Sequence, residues 1–460
     1  MNKPNREEPM SKMVHKTLRH LGTGVAMAAM LATATAHAAD DKLVIVTSFP
    51  SDLTDVFKNA FMKENPSVSV EVVNKSTSSG VKYLIETSGN NQSDIFWASA
   101  PDAFEVLKEN SLLSKYESGV GGVAKELNGY PINDPDGYYS GFALSGYGFM
   151  WNERYMDAYD LPEPVEWDDL TKPVYHGHVG LSAPSRSGTT HLTIETILQG
   201  EGWEKGWQTI RDISGNAKTV TERSFGVPDG VNSGSFGIGI VIDFFGFSSM
   251  ASGFPVDFRY PSVTALVPAN IGVIANAPNS EPAQKFIDFL LSETGQGLLF
   301  DPKIMRLPVN EAAYVNAPEG LPNPFDGSIK SEVAFDTAVS QGRYNVVNSL
   351  FDVMVTYRLD DLRAATVAIQ EAEVALAESG AANPEATKLI EEAKALLHTL
   401  PVDEAKANDP EFAAIFKSKR KKKTDKIEGR QAEIEQEWDN QVVQNYQKAA
   451  ELANTARFMF

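Results

Sequence analysis

Leu43-Val-Ile-Val-Thr-Ser-Phe-Pro-Ser-Asp52 sets the pattern from which the fold is read. Leu43 to Thr47 is the apolar, β-branched run of a buried strand, and Ser48 to Asp52 is a turn. A helix follows, with Leu53, Val56, Phe57, Ala60 and Phe61 on one face, and it ends before Pro66. Val68, Val70 and Val72 alternate as a second strand, Asn74 to Gly80 reads as a polar loop, and Val81 to Thr87 as a short helix. Asp94-Ile-Phe-Trp-Ala98 is a third strand, with a helix from Pro101 to Glu109 after it. Strand and helix in alternation predict right-handed βαβ units on a parallel sheet.

Such sheets bind ligands outside the carboxyl ends of their strands. Three loops leave from those ends, at Thr47–Phe49, Ser76–Gly80 and Ser99–Pro101, and all three carry hydroxyls. Each alone is an ordinary loop; together they predict a shared polar mouth. Gly146-Tyr-Gly-Phe-Met-Trp-Asn152 is a strand that carries the chain out of this first lobe. Val179–Ser182 is a strand leading into Ser182-Ala-Pro-Ser-Arg-Ser-Gly-Thr-Thr-His191, which opens an amphipathic helix. Backbone N–H groups at a helix start, the helix dipole and the Arg186 fork suit an anion. A capped helix with a solvated arginine is the plain alternative.

Trp203–Ile213 reads as a helix, and Lys218–Glu222 as a strand that delivers Arg223. Phe236–Ile242 is a strand that delivers Asp243, Phe244 and Phe245. Val256–Tyr260 and Thr264–Val267 return the chain to the first lobe, and Glu281–Leu291 is an amphipathic helix. After about Glu332 the pattern turns helical, over Asn348–Leu376, Pro384–Leu397 and Ile427–Ala453. The expected domains are 39–145 and 263–331 for the first lobe, 146–262 for the second, and 332–460 for a helical extension. The basic run Lys417–Lys423 reads as a solvated face, with a docking patch as the sharper alternative.

Residues 12–38 run from basic to apolar to Ala36-His37-Ala38, the layout of a secretory signal peptide, so residues 1–38 are expected to be removed. The apolar run is short for a membrane span, and no later stretch is long enough to insert stably. The 460 residues contain no cysteine, which leaves stability to the core and offers no site for lipidation. Together these features favour a Gram-negative periplasm. The net charge of −20 argues against nucleic acid and anionic membranes as partners, while a small anion in a buried site is governed by local donors.

The motifs resemble a family, the bacterial extracellular solute-binding proteins, in the branch of ferric-ion and phosphorylated-sugar receptors. The residues that carry the likeness include Asp94-Ile-Phe-Trp, Gly146-Tyr-Gly with Asn152, and Glu281-Pro-Ala-Gln-Lys-Phe-Ile-Asp-Phe-Leu-Leu-Ser-Glu-Thr-Gly-Gln296. Ser182-Ala-Pro-Ser-Arg-Ser, His191-Leu, Gly202-Trp203, Gly206-Trp207, Ile213-Ser-Gly-Asn216, Arg223-Ser-Phe-Gly-Val227 and Val241-Ile-Asp243 resemble the phosphoglycerate-type transport regulators more closely. So do Phe351-Asp352, Tyr357-Arg-Leu359 and Pro401-Val-Asp403 in the extension. The resemblance implies an α/β, class II periplasmic binding protein fold, with two hinged lobes that close on a ligand.

It also implies a non-enzymatic monomer without cofactor. Its partners would be a small organic anion and either an ABC permease or a membrane sensor kinase. Ferric receptors of this branch carry paired tyrosines where this chain has Phe244-Phe245, and phenyl rings cannot ligate a hard cation. His176 and His178 read as loop residues rather than metal ligands. On this reading Ser185, Arg186, Ser187, Gly188, Thr189 and Thr190 hold the anionic group, with Arg223 as a second guanidinium. Ser48, Thr77, Ser78, Ser79 and Ser99 supply neutral donors from the first lobe. Asp243 accepts from ligand hydroxyls or pairs with Arg223, and His191 either touches ligand or packs. No nucleophile elbow, metalloprotease motif or P-loop is present to support an enzyme.

Overall fold

The computed structural model describes residues 41–380, 382–417 and 427–460. The export signal expected over residues 1–38, and all of the basic run after Lys417, lie outside these residues. Two mixed sheets form two lobes. In the first, Asp41–Thr47 pairs in parallel with Val68–Asn74 and with Ile95–Ala98. The first lobe's sheet is completed by antiparallel strands: Val267–Ile274 lies between Ile95–Ala98 and Ser140–Ser145. The second sheet runs Ala217–Thr221, Val179–Ser182, Ile238–Ile242, Tyr147–Asn152 and Val256–Arg259. Its first three strands are parallel, and Tyr147–Asn152 is antiparallel to both of its neighbours.

The parallel-rich sheets expected from the βαβ pattern are present as parallel groups of strands, to which antiparallel strands are added at one side. The reason is connectivity. The chain leaves the first sheet after Ser145 and enters the second at Tyr147, then returns between Arg259 and Val267. A strand that arrives from the other lobe runs against those built by local crossovers. Val267–Ile274 is buried at every position, so it lacks the alternation that marks a half-exposed strand.

Each lobe has its own core. In the first, Trp97 is 1% exposed and its ring is met edge-on by Phe57, Phe142 and Phe286 at centroid distances of 5.6, 5.3 and 5.7 Å. The core of the second lobe continues without a break into the extension. Trp203, Trp207, Ile210 and Ile213 share one apolar cluster with Leu350, Ile369, Ile390, Trp438 and Tyr446. A third cluster joins Val46, Phe96 and Phe104 of the first lobe to Leu192, Ile242 and Phe244 of the second and to Phe335 at the start of the extension. The extension comprises helices Thr337–Phe351, Leu359–Ser379, Pro384–His398 and Arg430–Arg457, with a π-helical turn at Asp352–Thr356 after the first.

Buried polar groups fasten this junction. Arg211 is 1% exposed, and its guanidinium donates to the carbonyls of Leu397 at 2.7 Å, Thr399 at 3.0 Å and His398. These carbonyls end helix Pro384–His398, where both orphan acceptors and the dipole favour a cation. Arg343 makes a two-pronged pair with Glu195, Nε to Oε1 and Nη2 to Oε2 both at 2.9 Å, with the two side chains 1% and 0% exposed. The Trp203 indole donates to the Val402 carbonyl at 3.2 Å, and Tyr446 donates to Met354 at 3.0 Å. No helix among the described residues is long and apolar enough to cross a membrane.

At Gly215 the second lobe packs tightly against the extension. A Cβ there would stand 2.1 Å from Thr366 Oγ1 and 2.8 Å from Thr366 Cβ. Gly215→Ala is thus expected to cost about 1–3 kcal/mol by overpacking. Urea unfolding followed by far-UV circular dichroism should show a lower midpoint and one transition shared by second lobe and extension. An extension that melts separately would contradict the common core.

Candidate functional site

The strand ends of both sheets meet between the lobes, and helices start there. Helices Thr77–Thr87 and Pro101–Glu109 come from the first lobe, Gly188–Glu201 and Asp243–Ala251 from the second. Ser76 caps the first by accepting from the Ser79 N–H at 3.3 Å, and Ser187 caps the third by accepting from the Thr190 N–H at 3.2 Å. The lobes touch where a Cβ on Gly188 would lie 3.0 Å from Thr77 Oγ1 and 3.2 Å from Ala100 Cβ. A side chain there would push Thr77 or Ala100 back by a few tenths of an ångström.

Arg306 stands in the same place and was not anticipated. It is fully buried between Phe49 of the first lobe and Phe244 of the second, with its guanidinium carbon 4.6 and 3.8 Å from their ring centroids. Its Nη2 donates to Ser99 Oγ at 3.2 Å and its Nη1 lies 3.5 Å from Ser145 Oγ. Its Nε has no partner, and among the described residues no carboxylate forms an ion pair with it. Burial lowers the guanidinium to about 9, while Asp243 and Tyr147 act to hold it charged. At neutral pH it is a cation without an adjacent anion, and a buried charge in that state is costly unless something balances it.

Asp243 is also fully buried. Its Oδ2 accepts from the Gly146 N–H and from the Tyr260 hydroxyl, both at 2.7 Å, and its Oδ1 accepts from the Phe244 N–H at 2.7 Å. Gly146 lies on the outgoing connection between the lobes and Tyr260 on the returning one. Nearby, Thr264 Oγ1 donates to the Tyr147 carbonyl at 2.7 Å and accepts from the Tyr147 N–H at 3.1 Å. Burial pushes the Asp243 carboxyl up to about 6, against the pull of its hydrogen bonds and of Arg306.

The residues expected to bind ligand separate into three groups. Thr77, Ser99, Ser187 and Gly188 meet at the contact between the lobes, and Ser48 lies half-buried beside Phe49. Ser78 and Ser79 belong to a first helical turn, not to the loop read from the sequence, because the Ser76 cap starts the helix early. Thr190 is spent on a close hydroxyl contact with Ser182, and the Thr189 carbonyl accepts from Thr193 within the helix. Arg223 is half-buried over the Phe225 ring at 5.3 Å, and its burial lowers its pKa.

The third group turns toward the extension. Ser185 and Arg186 stand beside the buried carboxyl of Asp352, and Arg186 Nη1 lies 3.6 Å from Glu222. His191 is fully buried: Nδ1 meets Asn348 Oδ1 and Nε2 meets Ser340 Oγ, both at 3.1 Å, and its ring lies 4.0 Å from that of Tyr344. The composition of residues 182–191 is that of an anion loop. What packs on its back comes from over 140 positions away and has no local signal. Arg306 has a faint one, a single charge within the apolar run Ile304-Met305-Arg306-Leu307-Pro308.

The family model for bacterial extracellular solute-binding proteins matches residues 90–326. The phosphoglycerate transport regulatory protein PgtC of Salmonella typhimurium is 30% identical over 382 residues, covering 82% of this chain and 90% of its own. Among solved structures, the periplasmic binding protein AfuA of Actinobacillus pleuropneumoniae, with fructose-6-phosphate bound, superposes with a TM-score of 0.61 at 20% identity. It covers 68% of this chain and 98% of its own. The apo ferric ion-binding protein A of Pasteurella haemolytica superposes at 0.55 with 16% identity, covering 68% and 96%. These likenesses show a periplasmic binding protein fold. The receptors are used almost whole on two thirds of this chain, whereas the regulatory protein's match is longer than the residues ahead of the extension can supply.

The raised carboxyl of Asp243 has a sign that can be tested. The folded state holds this proton more tightly than the unfolded one. Asp243 is therefore least costly at or below about pH 4, and its cost grows to about 3 kcal/mol as pH rises through about 6. Asp243→Asn lacks this titration. The melting temperature of the parent relative to Asp243→Asn is expected to fall between pH 4 and 7 and stay level above. A constant difference across that range would mean that burial does not strain the carboxylate.

Proposed function

The chain belongs to the bacterial extracellular solute-binding proteins, and we propose that it captures a small organic anion, phosphorylated or carboxylated, between its two lobes. It is a binding protein and not an enzyme. The observation that carries the proposal is Arg306, a buried guanidinium with an unpartnered Nε and no carboxylate paired to it. A carboxylate or phosphate oxygen placed there takes charge-assisted hydrogen bonds from a fork already held in place by two aromatic plates. Ser99, Thr77, Ser187 and Gly188 surround the same contact between lobes and supply hydroxyls and helix-start N–H groups. Ser48 and Arg223 extend the site, with Ser78, Ser79, Thr189 and Thr190 behind it. Ser185, Arg186 and His191 act through the extension, and Asp243 through the hinge.

Two aspects of the sequence complete the proposal. Residues 1–38 serve as the export signal, and the mature protein works in the periplasm, as a monomer. The membrane partner is an ABC permease, with the protein as the receptor of an importer. A second reading, a ligand-loaded regulator that acts on a sensor kinase, is favoured by the extension, since the relative whose match requires it is a transport regulatory protein. Bare ferric ion fits poorly beside an unpaired cation with Phe244 stacked on it. Among the described residues, no group of three or more His, Cys, Asp or Glu could hold a metal ion.

A thermal-shift screen tests the proposal with three-carbon phosphates, sugar phosphates, phosphonates, carboxylates, polyamines and ferric complexes. One or more of the anions should raise the melting temperature. Arg306→Gln should then weaken binding by at least about 30-fold, the effect of removing one partner of a buried charged pair, and leave the ligand-free melting temperature unchanged or higher. Arg186→Ala should weaken binding less. Stabilisation by polyamines or iron alone would overturn the anion reading.

A further inference from the structure

Helix Thr337–Phe351 of the extension is seated on both lobes, and its two sides differ in kind. Toward the second lobe it is joined by the buried Arg343–Glu195 pair and by Val346, Val347 and Leu350 in the common core. The Gln199 side chain adds a bond from each end to the Asp336 backbone, accepting at 2.7 Å and donating at 3.1 Å. Nothing of that side can separate without opening a hydrophobic core. Toward the first lobe Phe335, just ahead of the helix, joins the apolar cluster of Phe96 and Phe104 with its ring 6.5 Å from that of Tyr130, and the helix itself adds polar bonds. Ser340 Oγ donates to Asp102 Oδ2 at 3.3 Å, Gln341 Nε2 donates to Glu109 Oε2 at 2.5 Å, and Thr337 and Tyr130 share a hydroxyl hydrogen bond of 2.5 Å.

Asp102 and His191 come together at this seam. Asp102 opens helix Pro101–Glu109 of the first lobe, His191 lies in helix Gly188–Glu201 of the second, and Ser340 bonds to both. The Asp102 carboxyl and His191 Nε2 are 3.5 Å apart. A hinge motion that parts Thr77 from Gly188 also parts Asp102 from His191, because Thr77 and Asp102 open two helices of the first lobe while Gly188 and His191 lie in the first turn of one helix of the second. The extension must travel with the second lobe, so opening breaks its bonds to the first.

We propose that Thr337, Ser340 and Gln341 are positioning residues for solute capture: their bonds to Tyr130, Asp102 and Glu109 latch the first lobe against the extension and hold the cleft closed. This latch touches no solute. It acts on the balance between open and closed forms, and through that balance on the affinity for whatever is captured. The proposal rests on the two-lobed receptor architecture and not on the chemistry of the ligand.

The absence of cysteine lets the latch be read directly in the full chain without ligand. Nitroxide labels at Lys82→Cys on the first lobe and Asp229→Cys on the second report the distance between lobes. In a Thr337→Ala, Ser340→Ala, Gln341→Ala background the closed population should lose ground to a longer-distance one. Each net hydrogen bond is worth about a factor of 5, so the open-to-closed ratio should rise roughly 10- to 100-fold. Tyr130→Phe with Glu109→Ala removes two of the same bonds from the opposite side and leaves the helix untouched; it should move the distribution in the same direction. An unchanged distribution in both variants would overturn the latch. So would a shift confined to the helix variant and accompanied by a lower melting temperature, since that would trace to the helix's own stability. Solute binding is not involved, so failure of the anion reading would leave this result standing.

Discussion

The carboxylate of Asp243 holds the point on which both lobes turn. Its oxygens accept from Gly146 on the outgoing connection, from Tyr260 on the returning one, and from the first amide of the helix that carries Phe244. Three donors are a large share of what a carboxylate can use, and burial still drives its pKa to about 6. That balance shows how deep the group lies. Removing the carboxylate would release both connections between the lobes and one aromatic plate at once, and the plate is half of what surrounds Arg306.

Arg306 and Asp243 form an incomplete electrostatic pair. Each eases the other's burial through space, yet no salt bridge joins them, and the guanidinium keeps a free Nε. If the sole purpose were stability, a direct bidentate pair or an apolar residue would do better. An arrangement that leaves the cation short of one partner is costly when empty and favourable when an anion arrives. The long-range field does not contradict this. A net charge of −20 is screened over a Debye length of about 8 Å at physiological ionic strength, whereas the guanidinium acts at contact.

The alternation of strands and helices from Leu43 to Glu109 was legible because each period is local and each helix stops at a proline or polar residue. The antiparallel partners were less so. Val267–Ile274 is an unbroken buried run whose direction is set by where the chain has come from, which no window of residues contains. Ser76 to Ser79 looked like a loop because hydroxyls serve loops and helix caps equally well, and here they cap. The stretch from Ser182 to His191 was correctly seen as a strand leading to a helix start. What stands around it was not readable, because Asp352, Ser340 and Asn348 reach Ser185 and His191 from distant sequence. Arg306 gave almost no local sign, since its environment is assembled from Phe49, Ser99 and Phe244 of three separate segments.

The extension changes what lobe closure means for this chain. In a bare two-lobed receptor, the closed form is held by the solute and by whatever surface the lobes share. Here the second lobe and the extension are one body, fused through Trp203, Trp207, Leu350 and Trp438 and capped by Arg211. A movement of the first lobe is therefore a movement against both. Any partner that reads the outer helices, Leu359–Ser379 or Arg430–Arg457, contacts a body whose seam with the first lobe is made or broken by closure. The Asp102, His191 and Ser340 junction is thus where an event at the cleft becomes an event at the extension. Under the regulator reading this junction is the physical form such a link would take.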